Sequence, residues 1–473
     1  MVECMVTVLL PVLTAALVFT KKNKAPDWVA FGGIIATIFS VVSLMWRPCK
    51  LEIVFSDTLS LLLEPDRLSL FFLMLISCGF LLAILYAREY LAGDIQRRKF
   101  YGFSLLTLGA MMGLAQAGNM VTFYMFYEVM SLASFPLVLY SGGEKARRAA
   151  MSYLGFSVFG ACMALMGMLL GGAPMLLPFR EGRGLTALTG TLQVSFFLMA
   201  LGFSCKAGMM PLANWLPTAH PVAPAPASAL LSGIITKAGI LGMIRAAYYV
   251  FGAELLQGTL AQKVLLALSI VTIFSGSMLA FKENLLKKRL AYSSVSQLSY
   301  VIFGIMLLTP EGLTGGLMQV LIHACAKVGL FLCAGAFIHH CKCHYVNELT
   351  GMGRRMPVVM AAFTCFSLSL IGIPPFGGFM SKWVLASAAL DLGTGLSQLG
   401  VIVLMVSALL TAGYLLPIVA RGYFPGEGYT CKKTDAGWSM AVPLLILAAA
   451  AAILGMFPDG IMDFFGAISR SFL

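Results

Sequence analysis

Long apolar stretches follow one another along nearly the whole chain and leave little polar sequence between them. Of the 473 residues, 59% are hydrophobic and only 11% are charged, whereas a water-soluble domain carries about a quarter charged residues. So few charged side chains cannot cover a water-facing surface, and an apolar stretch of about 20 residues is long enough to cross a bilayer as a helix. The sequence therefore predicts an all-α, polytopic membrane protein with one membrane domain, residues 1–473.

Fourteen of these stretches are candidate transmembrane helices. Positive charge follows the first stretch and does not precede it, so a retained helix is predicted there and not a cleavable signal peptide. The candidate spans lie at residues 3–20, 28–46, 66–86, 101–117, 119–140, 150–172, 192–212, 225–250, 264–281, 294–309, 312–338, 357–386, 397–420 and 437–457.

Basic residues are divided unevenly between the two sets of alternating loops. Loops after odd-numbered spans hold 20 Lys and Arg residues, whereas loops after even-numbered spans, with the C-terminal tail, hold 7. Cytoplasmic loops carry the excess of Lys and Arg, so the odd loops are predicted to be cytoplasmic and both termini to lie outside. The basic run at residues 282–289 is interpreted as such an anchor. This asymmetry accounts for the net charge of +12, and no nucleic-acid partner is predicted.

Proline and glycine interrupt three of the candidate spans. Proline removes a backbone donor and clashes with the preceding helical turn, and in lipid such breaks persist only where they are buried in protein or line a wet cavity. The predicted breaks are Pro211 in span seven, Pro224 and Pro226 at the start of span eight, and Pro374, Pro375 and Gly377 in span twelve.

Spans seven and twelve are both interrupted, each carries one lysine, and they lie five spans apart. An odd offset turns the second unit over in the membrane, and inverted repeats with broken helices are a transporter architecture. We therefore expect two inverted five-helix repeats, residues 101–250 (helices 4–8) and 264–420 (helices 9–13). Residues 1–86 would form helices 1–3, and residues 437–457 would form helix 14.

Six ionisable residues within the candidate spans are singled out as candidates, because a charge inside a span is costly and usually functional. They are Glu128, Lys206, Lys237, His323, Lys327 and Lys382. Lysine and histidine can exchange protons when buried, whereas arginine stays protonated. Four lysines cannot all be neutralised by one glutamate, which favours a proton or cation path over a purely structural ion pair. A lysine paired structurally with Glu128, and a His323 that only bonds a neighbouring helix, remain the alternatives.

Sequence motifs for redox or metal chemistry are not found. There is no Cys-x-x-Cys set, no haem attachment motif and no glycine-rich nucleotide loop, so no cofactor is predicted. The tract His-His-Cys-Lys-Cys-His at residues 339–344 lacks the usual zinc spacing and is interpreted as a polar loop end. The eleven cysteines are scattered, and no disulfide framework is predicted.

Four motifs carry a specific family resemblance across residues 85–385. They are the run 215–233 with Lys237 after it, the run Lys288–Gln297, the run His323–Lys327, and Gly-Ile-Pro-Pro-Phe-Gly-Gly-Phe at residues 372–379. With Glu128, they make the chain similar to the proton-translocating antiporter-like family. That family includes complex I membrane-arm subunits, Mrp-type Na+/H+ antiporters and membrane-bound hydrogenase subunits.

The resemblance implies roles for the buried ionisable residues. Glu128 would be the partner of Lys206, Lys237 would be the next relay, and Lys382 would be the lysine on the exit side. His323 with Lys327 would connect the two halves. The resemblance also implies fourteen helices, with helices seven and twelve discontinuous.

The function expected from these features is ion translocation by a non-redox subunit of an energy-converting complex, such as a membrane-bound hydrogenase or a complex I-like oxidoreductase. The expected ion is the proton, with or without coupling to Na+. The expected location is the cell inner membrane, with other membrane subunits as partners. A D-type subunit of an Mrp antiporter is the first alternative. A stand-alone solute transporter and a structural subunit without conduction are the others.

Overall fold

The structure is a computed structural model that describes residues 2–20, 25–47, 49–56, 59–179, 185, 187–426 and 431–472. Five basic residues from the loop count, Lys21, Lys22, Lys24, Arg180 and Arg183, lie outside the described residues.

The described chain is almost entirely helical, as predicted. A helix lies at each of the predicted spans, and the helices in chain order are α1 (Val2–Phe19), α2 (Pro26–Trp46), α3 (Arg67–Tyr90), α4 (Arg97–Ala115), α5 (Met120–Leu139), α6 (Gly143–Gly171), α7 (Gly190–Ala207), α8 (Trp215–Val222), α9 (Ala225–Leu230), α10 (Lys237–Ile244), α11 (Ala253–Leu256), α12 (Leu260–Lys282), α13 (Leu286–Met306), α14 (Pro310–Cys341), α15 (Met352–Arg355), α16 (Pro357–Ile371), α17 (Gly377–Leu392), α18 (Gly395–Tyr423), α19 (Trp438–Met456) and α20 (Asp459–Arg470).

Ten helical segments in the described part of the chain are long and apolar enough to cross a membrane. They are α1, α2, α3, α5, α6, the continuous segment Ala225–Phe251, α12, α14, α18 and α19. The other predicted spans coincide with helices that begin in basic runs, α4 and α13, or that are interrupted, α7 with α8 and α16 with α17. The total of fourteen spans stays a prediction.

The loops that connect the helices meet in two separate groups. On one side, Tyr140 donates to Asp94 (2.7 Å) and Lys287 donates to the carbonyl of Ala223 (2.7 Å). All four residues lie in or beside loops that follow odd-numbered spans, and we call this side the odd-loop face. This grouping is expected if each predicted span crosses the membrane once.

The loops that follow even-numbered spans form the opposite side, the even-loop face. There the amide of Gln257 donates to the carbonyl of Leu308 (2.9 Å), and the backbone N–H of Glu64 donates to the carbonyl of Gln116 (2.9 Å). The separation of the two groups places the helix bundle between them.

Two elements of the even-loop face were not predicted from the sequence, and only the strand hairpin departs from the all-α prediction. Strands β1 (Leu51–Ser56) and β2 (Leu59–Leu63) pair as an antiparallel hairpin, and the amphipathic helix α20 packs Phe465 against Phe71 (4.8 Å between ring centroids). Both elements are shorter than a span, so the search for apolar stretches passed over them.

A disulfide, Cys4–Cys49, joins the start of α1 to the chain just after α2. The sequence predicted no disulfide framework, because the two cysteines are 45 residues apart and nothing local pairs them. They meet because α1 and α2 are consecutive antiparallel helices, which brings the start of one beside the end of the other.

The structure interrupts the helices of spans seven and twelve near the prolines named from the sequence. Helix α7 ends at Ala207, where the capping residue Gly208 has a left-handed φ of 81°, and α8 begins at Trp215. Helix α16 ends at Ile371, where Gly372 has a φ of 92°, and α17 begins at Gly377. A side chain at Gly378 would meet the backbone oxygen of Ser369, so only glycine lets the two halves of this helix pack so closely.

The helix of span eight begins beyond Pro224 and is entirely buried in the bundle. Two π-helical segments, Leu231–Ile235 and Arg245–Phe251, lie on either side of α10. Such turns are rare and frequently mark functional sites. Lys237 stands at the junction of the first π-helical segment and α10.

Candidate ion-translocation path

Lys206 is fully buried in the last turn of α7 and is surrounded by hydroxyl groups. Its Nζ donates to Ser131 Oγ (3.0 Å), Tyr153 OH (2.8 Å) and Ser157 Oγ (2.9 Å). The ammonium group also lies 4.3 Å from the centroid of the Tyr153 ring. Neutral oxygens and an aromatic face therefore hold this amine in the interior.

The family resemblance implies Glu128 as the partner of Lys206, and the structure shows no direct ion pair between the two side chains. Among the described residues, no carboxylate oxygen lies within 4.0 Å of the Lys206 amine. Glu128 is half-buried, accepts a long bond from Tyr124 OH (3.4 Å), and stands one helical turn before Ser131 on α5. Its neighbour Val129 is 52% exposed, so this turn of α5 lies at the flank of the bundle.

Lys237 and His323 are in direct contact at the centre of the bundle. The Lys237 Nζ lies 2.7 Å from His323 Nδ1 and also donates to the carbonyl of Ser232 (3.0 Å). When the lysine carries the proton, Nδ1 accepts and the ring hydrogen sits on Nε2. Nε2 has no hydrogen-bond partner in the described part of the chain, so it is available for a further contact.

Lys327 follows His323 by one helical turn on α14, as the four-residue spacing predicted. Its Nζ donates to Ser293 Oγ (2.6 Å) and to the carbonyl of Leu290 (3.0 Å), both on α13. The pair His323 and Lys327 is fully buried.

Lys382 sits beside the break between α16 and α17. Its Nζ donates to the carbonyls of Leu370 (2.5 Å) and Ile371 (2.8 Å). The break leaves these last carbonyls of α16 without helical partners, and the carbonyl end of a helix attracts positive charge. The proline–glycine interruption therefore exposes the carbonyl oxygens that bind the Lys382 amine. Lys382 also borders an apolar cavity of about 510 Å³.

Three neutral polar residues between His323 and Lys382 were not named from the sequence. Gln319 donates to Gln297 Oε1 (2.8 Å) and accepts from Ser381 Oγ (2.6 Å). The one sequence signal for them was the motif of residues 288–297, which ends at Gln297.

Lys287 departs from its interpretation as a surface anchor. It is 6% exposed and lies at the odd-loop face, where its amine bonds the Ala223 carbonyl at the start of the span-eight helix. Lys288 fits the anchor role, since it pairs with Glu283 at 2.7 Å and its side chain is 38% exposed.

A polar cavity of about 460 Å³ opens at the odd-loop face beside Lys287. Residues from several loops line it, including Asp94, His339 and His344. Next to this cavity, His220 is fully buried and stacks on Phe331 (4.6 Å between centroids). The two ring nitrogens of His220 have no partner within the described residues.

The histidine and cysteine tract forms the rim of this cavity and the loop beyond it. His340 lies 3.5 Å from the carboxylate of Glu89, and the His339 ring packs on Tyr90. Across the described ranges, no group of three His, Cys, Asp or Glu side chains is arranged to hold a metal ion.

Comparison with known proteins adds independent information. Residues 117–411 match the family described as NADH:quinone oxidoreductase/Mrp antiporter, TM. NADH-quinone oxidoreductase subunit N of Desulforudis audaxviator is 32% identical over 417 residues, which cover 81% of this chain and 79% of that protein. F(420)H(2) dehydrogenase subunit N of Methanosarcina mazei is 28% identical and covers 97% of this chain and 94% of its own length.

Solved structures share the fold. A chain of the Mrp complex from Dietzia sp. DQ12-45-1b superposes with a TM-score of 0.88 at 23% identity, covering 100% of this chain and 98% of that one. A chain of respiratory complex I from Thermus thermophilus gives a TM-score of 0.84 at 24% identity, covering 99% and 100%. The chain is therefore an antiporter-like membrane subunit that belongs to the NADH:quinone oxidoreductase/Mrp antiporter transmembrane family.

Proposed function

We propose that this subunit conducts protons through the membrane along a row of buried groups within a multisubunit energy-converting complex. The row runs from Glu128 through Lys206, Lys237, His323 and Lys327 to Lys382. The observation that carries the proposal is the 2.7 Å contact between Lys237 and His323. Two positive charges cannot both persist at that distance in a buried site, so the pair shares one proton and can pass it on.

The surroundings of each lysine support transfer and not permanent pairing. Hydroxyl and carbonyl oxygens hold Lys206, Lys327 and Lys382, and such neutral partners bind an ammonium without fixing it as a carboxylate would. A proton that leaves one of these amines therefore leaves behind no unpaired carboxylate.

We place the entrance for protons at the polar cavity of the odd-loop face. Its carboxylate and imidazole groups, Asp94, His339 and His344, can exchange protons with water. Lys287, which lines this cavity, and His220, next to Pro221 of its lining, are both buried. In this proposal they receive protons from the cavity side.

We propose that the odd-loop face is cytoplasmic and that both termini are outside. The excess of basic residues in the odd loops supports this orientation. The Cys4–Cys49 disulfide supports it independently, because it lies on the even-loop side and disulfides persist in oxidising compartments outside the cytoplasm.

Partner membrane subunits would cover the flanks of the bundle in this proposal. One flank carries Glu128 with Val129 exposed beside it, and another carries the apolar cavity next to Lys382, where Trp383 is 61% and Leu409 is 74% exposed. The chain would carry out no redox reaction itself. A D-type role in a Na+/H+ antiporter is the second candidate, and the description of the matching family, which names the Mrp antiporter, supports it.

The test is proton transport by the intact complex that co-purifies with this chain, reconstituted in sealed liposomes containing a pH-sensitive dye. Transport is driven by the electron donor of the complex or by an imposed Na+ gradient. We expect Lys237→Ala to abolish transport while the complex still assembles, and exposed Lys263→Ala to behave as wild type. A requirement for Na+ would favour the antiporter role. Unchanged transport in Lys237→Ala would overturn the proposal.

A further inference from the structure

The proposed row of buried proton-carrying side chains has a gap between His323 and Lys382. On α14, Lys327, His323 and Gln319 follow one another at four-residue spacing, about 6 Å per step along the axis. Gln319 thus occupies the position where the next proton-carrying group of this face would stand. An amide carries no exchangeable charge at neutral pH, so protons need another carrier here.

We propose that Gln297, Gln319 and Ser381 bind an ordered water molecule that passes protons between the His323–Lys327 pair and Lys382. This inference rests on the proposed function and adds three positioning residues to it. Ser381 directly precedes Lys382, and Tyr300, one turn beyond Gln297 on α13, lies under the Lys382 amine at 5.3 Å from its ring centroid. The three residues therefore connect the two ends of the gap.

The hydrogen bonds fix the orientation of both amides. The Gln319 amide nitrogen donates to Gln297 Oε1, and the Gln319 oxygen accepts from Ser381 Oγ. The Gln297 amide nitrogen therefore does not bond Gln319. It has no hydrogen-bond partner in the part of the chain that the structure describes, and Gln297 is 0% exposed. A buried donor without a partner is costly, and a polar site of this kind is where proteins hold internal water.

Other polar atoms around the gap are also without partners among the described residues. They are Nε2 of His323 and Oγ of Ser369, both fully buried. Ser369 lies at the end of α16, where its backbone packs against Gly378 of α17. Among the described residues, Gln297 on α13, His323 on α14 and Ser369 on α16 thus each have a buried polar atom without a partner.

The transfer step balances without any other reactant. An N–H bond of protonated His323, the nearer member of the pair, breaks as the water oxygen gains that proton. A different O–H bond of the water then breaks as Lys382 Nζ gains a proton. One proton has moved, no electron has been transferred, and the amides have only held the water in place.

The experiment compares Gln297→Met, which keeps the size of the side chain and removes the amide, with Gln262→Met. Gln262 is also a buried glutamine, and its amide bonds the Met306 carbonyl at the even-loop face. We expect Gln297→Met to lower transport at least tenfold with thermal stability equal to that of Gln262→Met, which should transport normally. A high-resolution map of the wild-type complex should show water density beside the Gln297 amide, and the Gln297→Met map should lack it.

The outcomes separate this inference from the proposed function. If Lys237→Ala abolishes transport and Gln297→Met does not, the water bridge is wrong and the proposed function stands. If both glutamine variants lose transport and stability equally, the amides are structural and the inference fails. If Lys237→Ala itself transports normally, the proposed function fails and the bridge fails with it.

Discussion

Lys206 shows at the scale of a single residue how a charged group can be buried without a direct ion pair. Three hydroxyl oxygens accept its hydrogen bonds, one of them from Ser131 on α5. The carboxylate of Glu128 stands one helical turn before Ser131 on the same helix. The sequence located both residues, because charges within apolar spans are conspicuous. It could not locate Ser131, Tyr153 and Ser157, because neutral hydroxyls are common in any helix.

The hydroxyl-lined site leads to a prediction about Lys206→Arg. Arginine keeps the positive charge but does not release its proton, so proton transport should fall about tenfold or more, equivalent to at least ~1.4 kcal/mol in the barrier. The measurement is the liposome assay, with exposed Lys145→Arg as the matched control. Transport at the wild-type rate in Lys206→Arg would mean that Lys206 acts only as a fixed charge.

At the scale of elements, an ion pair ties the start of α3 to the end of the helix that carries Lys237. Asp66 accepts from Arg245 (2.6 and 3.0 Å), from Tyr249 OH and from the backbone N–H of Ser69. Burial would raise the pKa of Asp66, but the charge and hydrogen bonds of Arg245, with those of Tyr249 and Ser69, lower it to about 2. The carboxylate is therefore charged at neutral pH.

We predict that Asp66→Asn lowers the melting temperature of the complex by several degrees at pH 7, because removing one partner of a buried ion pair costs about 3 kcal/mol. The pKa of Asp66 is lower in the folded state, so its contribution is complete above the ordinary pKa of 3.8 and is lost as the pH falls toward 2. The difference between wild type and Asp66→Asn should thus be constant from about pH 5 upward and shrink below about pH 4.

Melting curves of wild type, Asp66→Asn and the double variant Asp66→Asn/Arg245→Met measure this effect. The double variant should recover part of the lost stability, since it no longer buries an unpaired guanidinium. Equal melting of wild type and Asp66→Asn at pH 7 would show that the ion pair does not hold α3 in place.

The sequence predicted some secondary-structure elements better than others. Helices that span a bilayer need long apolar runs, and most of these were located to within a few residues. Helices α6 and α13 begin seven and eight residues before their predicted spans, because their first turns are basic and polar. The hairpin of β1 and β2 and the helix α20 escaped notice because their apolar residues occur in short runs. The hydrogen bonds that join Gln297, Gln319 and Ser381 were also missed, since they depend on which faces of α13, α14 and α17 meet.

At the scale of the whole molecule, the alternation of basic loops and the contacts between loops describe the same two faces. The loop charges come from the sequence alone, and the contacts, such as Lys287 with Ala223, come from the packing of the helices. The Cys4–Cys49 disulfide adds a chemical marker to the even-loop face. The sequence could not supply this marker, because the pairing arises only when α1 and α2 lie side by side.

This marker leads to a prediction about orientation in intact cells. If the even-loop face is outside, a membrane-impermeant reductant should open the disulfide without permeabilisation, and a bulky impermeant maleimide should then label Cys4 and Cys49. The measurement is the gel shift of the wild-type chain with and without reductant, compared with Cys4→Ser/Cys49→Ser, which should show no reductant-dependent shift.

Cys431, beside the odd-loop face, should be labelled only after permeabilisation. Reductant-dependent labelling that appears only in permeabilised cells would reverse the orientation, and the proton entrance would then face the outside.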